Sequence, residues 1–310
     1  MRSMAVLEYI RLTPELLQGL PRDSTVFTIV VSPIEVHGQH LPFGTDIYIA
    51  EAVRDRVLSA LEENRPEVCF VSLPHLYCGS DALPYPGSLS VNATALEGVL
   101  TDYCKGLAKQ GFKYLVVFDN HGGPKHHLAI SSAARRAWRK WRFQLIDPFI
   151  DIYRRMIVHD PELLSMTGLR PAECGDDADN HAGTNETSLM MAVCPELVLR
   201  DVREVKAAHP PKLSGAAKIV DGLGRLVEAL GGKRTGADLR HLAQAIAWTG
   251  QDGFLPYMGA PALASKEAGE AMLGAHVKIS VRLIEKALSG EDARPVAILE
   301  ALSLLRRVPE

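Results

Sequence analysis

The sequence predicts an α/β fold, in which a mostly parallel central sheet carries helices on both faces. The first observation is that short apolar runs rich in β-branched residues alternate with longer segments in which apolar residues recur at helical spacing. The second is that this alternation continues through the first two-thirds of the chain, as in proteins built from strand–helix–strand units. The third is an ordinary globular composition, with 47% hydrophobic and 23% charged residues.

Four apolar runs predict the strands. Each run is short and is followed by proline, glycine or polar residues, which is typical of a buried strand that ends in a loop. The runs are 26–31, 68–73, 114–118 and 143–146.

Helical spacing of apolar residues predicts the helices, at 47–64, 92–110, 126–139, 186–193 and 270–288, with a last one opened by Pro295. Between residues 147 and 184 the pattern loosens into polar sequence. Two amphipathic patches at about 207–250 predict an insertion that is either a lid or a subunit contact. We therefore expect a single domain over residues 1–310 that carries this insertion.

Composition excludes several classes of partner. The formal net charge is −3 and there is no basic block, so we expect no nucleic-acid partner. No apolar run approaches the ~18 residues of a spanning helix, and no signal-peptide pattern is present, so we expect no membrane partner. The five cysteines are odd in number and irregularly spaced, which favours a reduced, cytoplasmic protein.

The stretch from Pro33 to Asp46 holds the strongest site signal in the chain. Glu35 and His37 follow the first strand and, if the backbone stays extended, project from the same side. Asp46 follows a Pro/Gly loop and directly precedes a helical pattern. Carboxylates and imidazoles bind divalent metals, and open α/β sheets place their sites at the carboxyl ends of strands. The alternative is a polar loop that caps a helix, with its histidines on the surface.

Three further residues fall at comparable positions. His121 directly follows the strand 114–118 within a Gly-Gly turn, Glu186 opens a short helix, and His181 precedes that helix in a loop. Taken alone, His121 could be an ordinary loop histidine, and Glu186 an acid favoured by the helix dipole. Taken together, three carboxylates and two imidazoles suit a two-metal site with one bridging carboxylate. The set is Glu35, His37, Asp46, His121 and Glu186.

Four motifs follow one another in an order that points to a known family. They are Glu-x-His-Gly-x-His-Leu-Pro-x-x-Thr-Asp at 35–46, Tyr-Pro-Gly-Ser-Leu-Ser at 85–90, Asn-His-Gly-Gly at 120–123 and His-Ala-Gly-x-x-Glu-Thr-Ser at 181–188. In these residues the chain resembles the creatininase, or creatinine amidohydrolase, family. The likeness covers roughly residues 5 to 200, and residues 257–269 resemble the family's closing segment.

The resemblance implies a three-layer α/β/α creatininase-like fold, often hexameric, with two divalent ions (zinc, manganese or iron) in each chain. By motif position, Glu35, Asp46 and His121 would hold one ion. His37 and Glu186 would hold the other together with Asp46, which would bridge the two.

The same resemblance implies a hydrolase that cleaves the C–N bond of an amide, a lactam or a short peptide. A hydroxide between the two ions would attack the carbonyl, and Gly122 N–H would help to stabilise the oxyanion. His181 would be the proton shuttle, oriented by Asp179 two residues earlier.

Several positions on the substrate side depart from the family. Creatininase has a glutamate two residues after the equivalent of His121, where this chain has Gly123. It also has a substrate-covering tryptophan where this chain has Asp177, and the loop at 78–84 lacks the usual histidine. We therefore expect an amide or lactam other than creatinine. The residues expected to contact it are Ser80, Asp81, Gly122 and Asp177.

Two other functions remain open at this point. A two-metal site could also serve a phosphoesterase, although none of the four motifs contains the Arg or Lys that would clamp a phosphoryl group. Alternatively, the chain could be a non-catalytic assembly protein with a structural metal site, although such a site would not need an additional imidazole such as His181.

Overall fold

Five parallel strands form the centre of the molecule. The computed structural model describes residues 6–170 and 179–309. Its strands are β1 (Leu7–Glu8), β2 (Thr25–Val30), β3 (Cys69–Ser72), β4 (Tyr114–Phe118) and β5 (Gln144–Ile146). Their order in the sheet is β1-β3-β2-β4-β5, and every neighbouring pair is parallel. The predicted parallel sheet is confirmed, and the carboxyl ends of β2 and β4 lie side by side at its centre.

Helices cover both faces of this sheet. The described residues form α1 (Pro14–Gln18), α2 (Thr45–Asn64), α3 (Ala93–Lys109), α4 (Pro124–Trp141), α5 (Pro148–Ile157), α6 (Pro161–Thr167), α7 (Thr184–Val193), α8 (Gly215–Ala229), α9 (Lys233–Thr249) and α10 (Lys266–Leu288). A 3-10 helix spans Glu300–Arg307 near the end of the chain. Among the described helices, none combines the length and the apolar character that crossing a bilayer requires.

The three layers follow from the alternation of side chains along the strands. Val26 and Val30 of β2 face a core that α2, α7 and α10 complete. Phe27 and Ile29 face the opposite core, which α3 and α4 complete. Strands buried on both faces read as continuous apolar runs, which is why β2 and β4 were predictable from sequence. The α/β/α arrangement is confirmed.

We predicted loose polar sequence between residues 147 and 184, but this segment contains the helices α5 and α6. Asp147 caps α5, with its Oδ1 accepting hydrogen bonds from the backbone N–H groups of Phe149 (2.9 Å) and Ile150 (3.4 Å). Asp160 caps α6 in the same way. In each case a proline occupies the first helical position, where its missing N–H costs nothing. The last helix begins at Glu300 rather than at Pro295, after Leu299 takes a left-handed conformation (φ 59°).

The two patches at 207–250 form α8 and α9, which pack against each other as a helical hairpin. The helices approach closely at Gly224 and Gly236. A Cβ on Gly224 would lie 2.9 Å from the carbonyl oxygen of Gly236, and one on Gly236 would lie 2.6 Å from that of Gly224. These glycines therefore serve helix packing.

Candidate metal centre and its cavity

Five side chains meet at the carboxyl edge of the sheet, beyond the ends of β2 and β4. Two come from the loop after β2, one from the first turn of α2, one from the loop after β4 and one from the first turn of α7. In that order they are Glu35, His37, Asp46, His121 and Glu186, the set that the sequence predicted as metal ligands.

Among the described residues there are three groups of candidate ligand atoms, and two of them share Asp46. In the first, His121 Nδ1 lies 2.9 Å from Glu35 Oε2 and 3.5 Å from Asp46 Oδ2. In the second, His37 Nε2 lies 3.3 Å from Asp46 Oδ1 and 3.8 Å from Glu186 Oε2. One oxygen of the Asp46 carboxylate thus faces each group, as a bridging ligand requires.

The donor set fits divalent cations. Glu35 Oε2, His37 Nε2 and Asp46 Oδ2 are buried and, within the described part of the chain, have no partner in hydrogen-bonding geometry. Burial alone would lower the pKa of His37, but Asp46, Glu186 and Glu35 raise it to about 10. The pKa of His121 is likewise raised well above its usual value, because the carboxylates of Glu35 and Asp46 outweigh burial. The cluster therefore attracts positive charge, which metal ions would supply.

Backbone carbonyl groups orient both imidazoles. His37 Nδ1 lies 3.0 Å from the carbonyl oxygen of Glu35, and His121 Nε2 lies 3.1 Å from that of Ser80. Such contacts fix which ring nitrogen faces the site. Ser80 is fully buried and contacts the site through its carbonyl group. The substrate contact that we predicted for Ser80 stays a prediction.

Asp119 is a buried residue beside the candidate ligands that the sequence analysis did not single out. Its Oδ1 accepts hydrogen bonds from Ser32 Oγ and from the backbone N–H groups of Asn120 (2.8 Å) and His121 (3.0 Å). Its Oδ2 lies 3.1 Å from His126 Nε2. Burial opposes its ionisation, but His126 and the other partners lower the pKa of Asp119 overall. The signal that could have identified it is an acid directly after a buried strand.

His181 lies beside the second group of ligand atoms. Its ring is tilted against that of His37, with centroids 4.4 Å apart, and Trp248 contacts it at 5.8 Å. His181 Nε2 is 2.7 Å from the carbonyl oxygen of Val36, and Nδ1 is 4.0 Å from Glu186 Oε2. Val36 therefore holds one ring nitrogen while the other faces the site. The third group of candidate ligand atoms consists of Glu35, His37 and His181.

We predicted that Asp179 orients His181, but the described contacts of its carboxylate do not include the His181 ring. Its carboxylate instead accepts a hydrogen bond from Asn185 N–H (2.8 Å) at the start of α7. Burial, offset by this hydrogen bond and reinforced by Glu186, raises the pKa of Asp179 to about 7. The hydrogen bond that holds the His181 ring is the one to the carbonyl group of Val36.

A cavity of about 960 Å³ opens over the candidate ligands. Asp81 and Gly122, two of the predicted substrate contacts, line it. Asp81 also accepts a hydrogen bond from Lys125 N–H (2.8 Å). Asp177, the remaining predicted contact, lies outside the described residues.

Gly123 also lines this cavity, at the position where creatininase has a glutamate and this chain does not. A Cβ here would lie only 2.3 Å from His121 Nε2 and 3.0 Å from the backbone oxygen of Asp81. The loop therefore passes too close to His121 for any side chain at position 123.

Three further cavity residues lie on helices that carried no site motif. They are Tyr153 on α5 and His241 and Trp248 on α9. Nothing in their local sequence marks them, because only the tertiary packing of α9 and α5 brings them to the site.

Comparison with known proteins gives the same family as the sequence motifs. A family model described as "Creatininase: Creatinine amidohydrolase" matches residues 11–284. The chain is 29% identical over 174 residues to the mycofactocin precursor peptide peptidase of Mycolicibacterium smegmatis, a match that spans 56% of this chain and 60% of that protein. It is 28% identical over 196 residues to the creatinine amidohydrolase of Pseudomonas putida, spanning 60% of this chain and 70% of that protein.

A solved structure described as "Creatininase Mn" has a similar fold. It superimposes with a TM-score of 0.62 at 22% identity and covers 91% of this chain and 99% of its own.

Proposed function

This chain belongs to the creatininase family, whose model matches nearly all of it, and on that premise we propose that it is an amidohydrolase that uses two divalent metal ions. Zinc, manganese and iron all suit its mixed carboxylate and imidazole donors. The proposed substrate is an amide, a lactam or a short peptide, and the bond cleaved is a C–N bond.

The observation that carries the proposal is the position of Asp46. Its two carboxylate oxygens lie 3.3 Å from His37 Nε2 and 3.5 Å from His121 Nδ1. Glu35 completes the donor group around His121, and Glu186 completes the one around His37. A single structural ion would not require a second complete donor group on the other side of the same carboxylate.

The roles of the protein residues follow from their contacts. When bound, two divalent ions would lower the pKa of a water molecule and polarise an amide carbonyl. His181 would transfer a proton to the leaving nitrogen through Nδ1, because its Nε2 is held by Val36. Gly122, which lines the cavity beside His121, would present its backbone N–H to the developing oxyanion.

The substrate-side residues argue for a substrate other than creatinine. Gly123 leaves no space for a side chain where creatininase has a glutamate. The similarity to a peptide peptidase is comparable to the similarity to a creatinine amidohydrolase. A cavity of about 960 Å³ is also at the upper end of the usual range for drug-sized ligands, about 300–1,000 Å³. It is therefore large enough for a short peptide.

The phosphoesterase alternative gains little from the structure. The guanidinium groups that line the cavity are engaged by carboxylates, Arg155 by Asp151 and Glu162, and Arg240 by Glu228. A phosphoryl group would have to compete with these existing pairs.

A substrate panel tests the proposal. Protein loaded with zinc or manganese should hydrolyse at least one member of a set of small amides, lactams and short peptides, and a chelator should abolish the reaction. Asp46→Ala should be inactive, whereas Asp55→Ala, which removes an exposed carboxylate from the same helix, should behave as wild type.

Creatinine in the same panel should react very slowly or not at all. Turnover of p-nitrophenyl phosphate without any amide hydrolysis would favour the phosphoesterase. Metal-loaded protein that turns over neither class would favour the assembly protein.

A further inference from the structure

The hydroxyl of Tyr153 lies against the loop that carries His121. Tyr153 and Gly122 line the same cavity, and a Cβ added to Gly122 would lie 2.7 Å from Tyr153 Oη. The hydroxyl is therefore in contact with the residue that directly follows a candidate metal ligand. None of the roles proposed above uses this group.

Three aromatic neighbours fix the position of the Tyr153 ring. It stacks on Phe149, with centroids 5.7 Å apart, and meets the edge of His127 at 5.5 Å. The hydroxyl oxygen lies 3.0 Å from Nε2 of His241, which belongs to α9 of the helical hairpin. A ring held on several sides places its hydroxyl with little rotational freedom, as a catalytic or binding group requires.

The protonation of this pair makes Tyr153 available as a donor. Burial lowers the pKa of His241 to about 4, so the imidazole is neutral near pH 7 and carries a single N–H. Burial, reinforced by the carboxylates of Glu186, Glu35 and Asp81, raises the pKa of Tyr153 above its usual value and keeps its hydroxyl protonated. If the His241 N–H is on Nε2, it donates to Tyr153 Oη and leaves the phenolic proton free for an acceptor in the cavity.

We propose that Tyr153 donates a hydrogen bond to the substrate and that His241 is the residue that positions its hydroxyl. This inference rests on the proposed function and adds one donor to that site. The acceptor would be an amide oxygen bound beside Gly122. Since His241 lies on α9, the hairpin at 207–250 would contribute directly to substrate binding.

A purely structural Tyr–His pair is the alternative to be separated from this one. Such a pair would anchor α9 to α5, and its loss would lower the melting temperature without a specific effect on ligand affinity. Tyr153→Phe is the informative variant, because it removes only the hydroxyl and keeps the packing against Phe149 and His127.

The test uses acetohydroxamic acid, a small amide analogue that binds divalent ions, with protein loaded with zinc. We expect Tyr153→Phe to weaken its Kd by about 10-fold or more, the usual effect of losing one hydrogen bond to a charged group. Metal content should stay at the wild-type value. Tyr77→Phe is the matched control, because that hydroxyl is hydrogen bonded to Glu51 and is not part of the cavity wall.

Variants of His241 test the positioning role. His241→Leu should weaken binding as much as Tyr153→Phe does, and combining the two should add nothing further. His241→Gln should restore most of the affinity, since the glutamine amide can place an N–H where Nε2 was. A merely structural role would not predict this rescue at equal metal content.

The outcomes are distinct. If metal-loaded Tyr153→Phe binds the hydroxamate as tightly as wild type does, the inference is overturned and the proposed function stands. The same holds if metal-loaded wild type does not bind the hydroxamate. If His241→Leu has no effect while Tyr153→Phe does, the positioning role is wrong. Wild type that takes up no metal would overturn the proposed function, and this inference with it.

Discussion

Asp46→Ala should remove both metal ions from the protein, because the Asp46 carboxylate belongs to both groups of candidate ligands. Its Oδ1 lies 3.3 Å from His37 Nε2 and its Oδ2 lies 3.5 Å from His121 Nδ1. The substitution therefore reduces each group from three protein ligands to two. Glu186→Ala is the matched comparison. Glu186 belongs to one group only, together with His37 and Asp46, so this variant should release one ion.

The expected effect on stability can be worked out for each ion. At a free-ion concentration about 1,000 times Kd, one bound ion stabilises the folded state by about 4 kcal/mol. For a chain of 310 residues, an entropy of about 2.1 cal/mol/K per residue gives about 0.65 kcal/mol/K on unfolding. Each ion should then raise Tm by about 6 °C, and two ions by about 12 °C.

The assay compares each variant with its own chelator-treated form, so that the direct cost of the substitution cancels. Elemental analysis counts the ions, and thermal unfolding with and without added metal measures the gain in Tm. Wild type should gain about 12 °C, Glu186→Ala about 6 °C and Asp46→Ala close to nothing. An Asp46→Ala protein that keeps two ions, or that loses only one as Glu186→Ala does, would refute the bridging role.

Three further predictions concern the surroundings of the candidate ligands. His181→Ala should leave metal content and Tm nearly unchanged while turnover falls by about 10²–10⁴, and loss of one ion would instead make His181 a ligand. Asp179→Asn should raise Tm relative to wild type at pH 8 but not at pH 4. The pKa of Asp179 is about 7 in the folded protein and about 3.9 in the unfolded chain. The wild type therefore loses stability as the pH rises from about 4 to about 7, and the asparagine variant does not. An equal gain in Tm at both pH values would contradict this. Gly123→Ala should displace His121 and reduce metal content, because its Cβ would lie 2.3 Å from His121 Nε2. The control Gly98→Ala, at a position with open space around it, should keep its metal. Equal metal content in the two variants would contradict the predicted clash.

The strands and loops that carry the candidate ligands could be predicted from sequence for a physical reason. β2 and β4 are buried on both faces, so each reads as a mostly apolar run that ends shortly before a polar motif. Glu35 and His37 lie five and seven residues after the end of β2, and His121 lies three residues after the end of β4. The grouping around Asp46 came from the family resemblance, and the structure brings the same residues together. The hexamer implied by the resemblance stays a prediction.

The other side of the cavity could not be predicted in the same way. α5 carries Arg154 and Arg155 in its last turn, which weakened the apolar pattern, and the Asp147-Pro148 start signal was overlooked. His241 and Trp248 lie 60 and 67 residues after His181, on a separate helix. Their place in the site depends on how the hairpin packs, which local periodicity does not encode.

The hydrogen bonds of Asp119 have a consequence for the order in which metal would load. Asp119 joins Ser32, just beyond β2, to the backbone of Asn120 and His121 beyond β4. The ligand loops at the centre of the sheet are thereby preorganised relative to each other. Glu186 stands apart on α7, and its side chain keeps 19% of its accessible surface, against 1% for Asp46. Uptake should therefore be stepwise, with the first ion entering the half formed by Glu35, Asp46 and His121 and a more readily exchanged ion completing the pair.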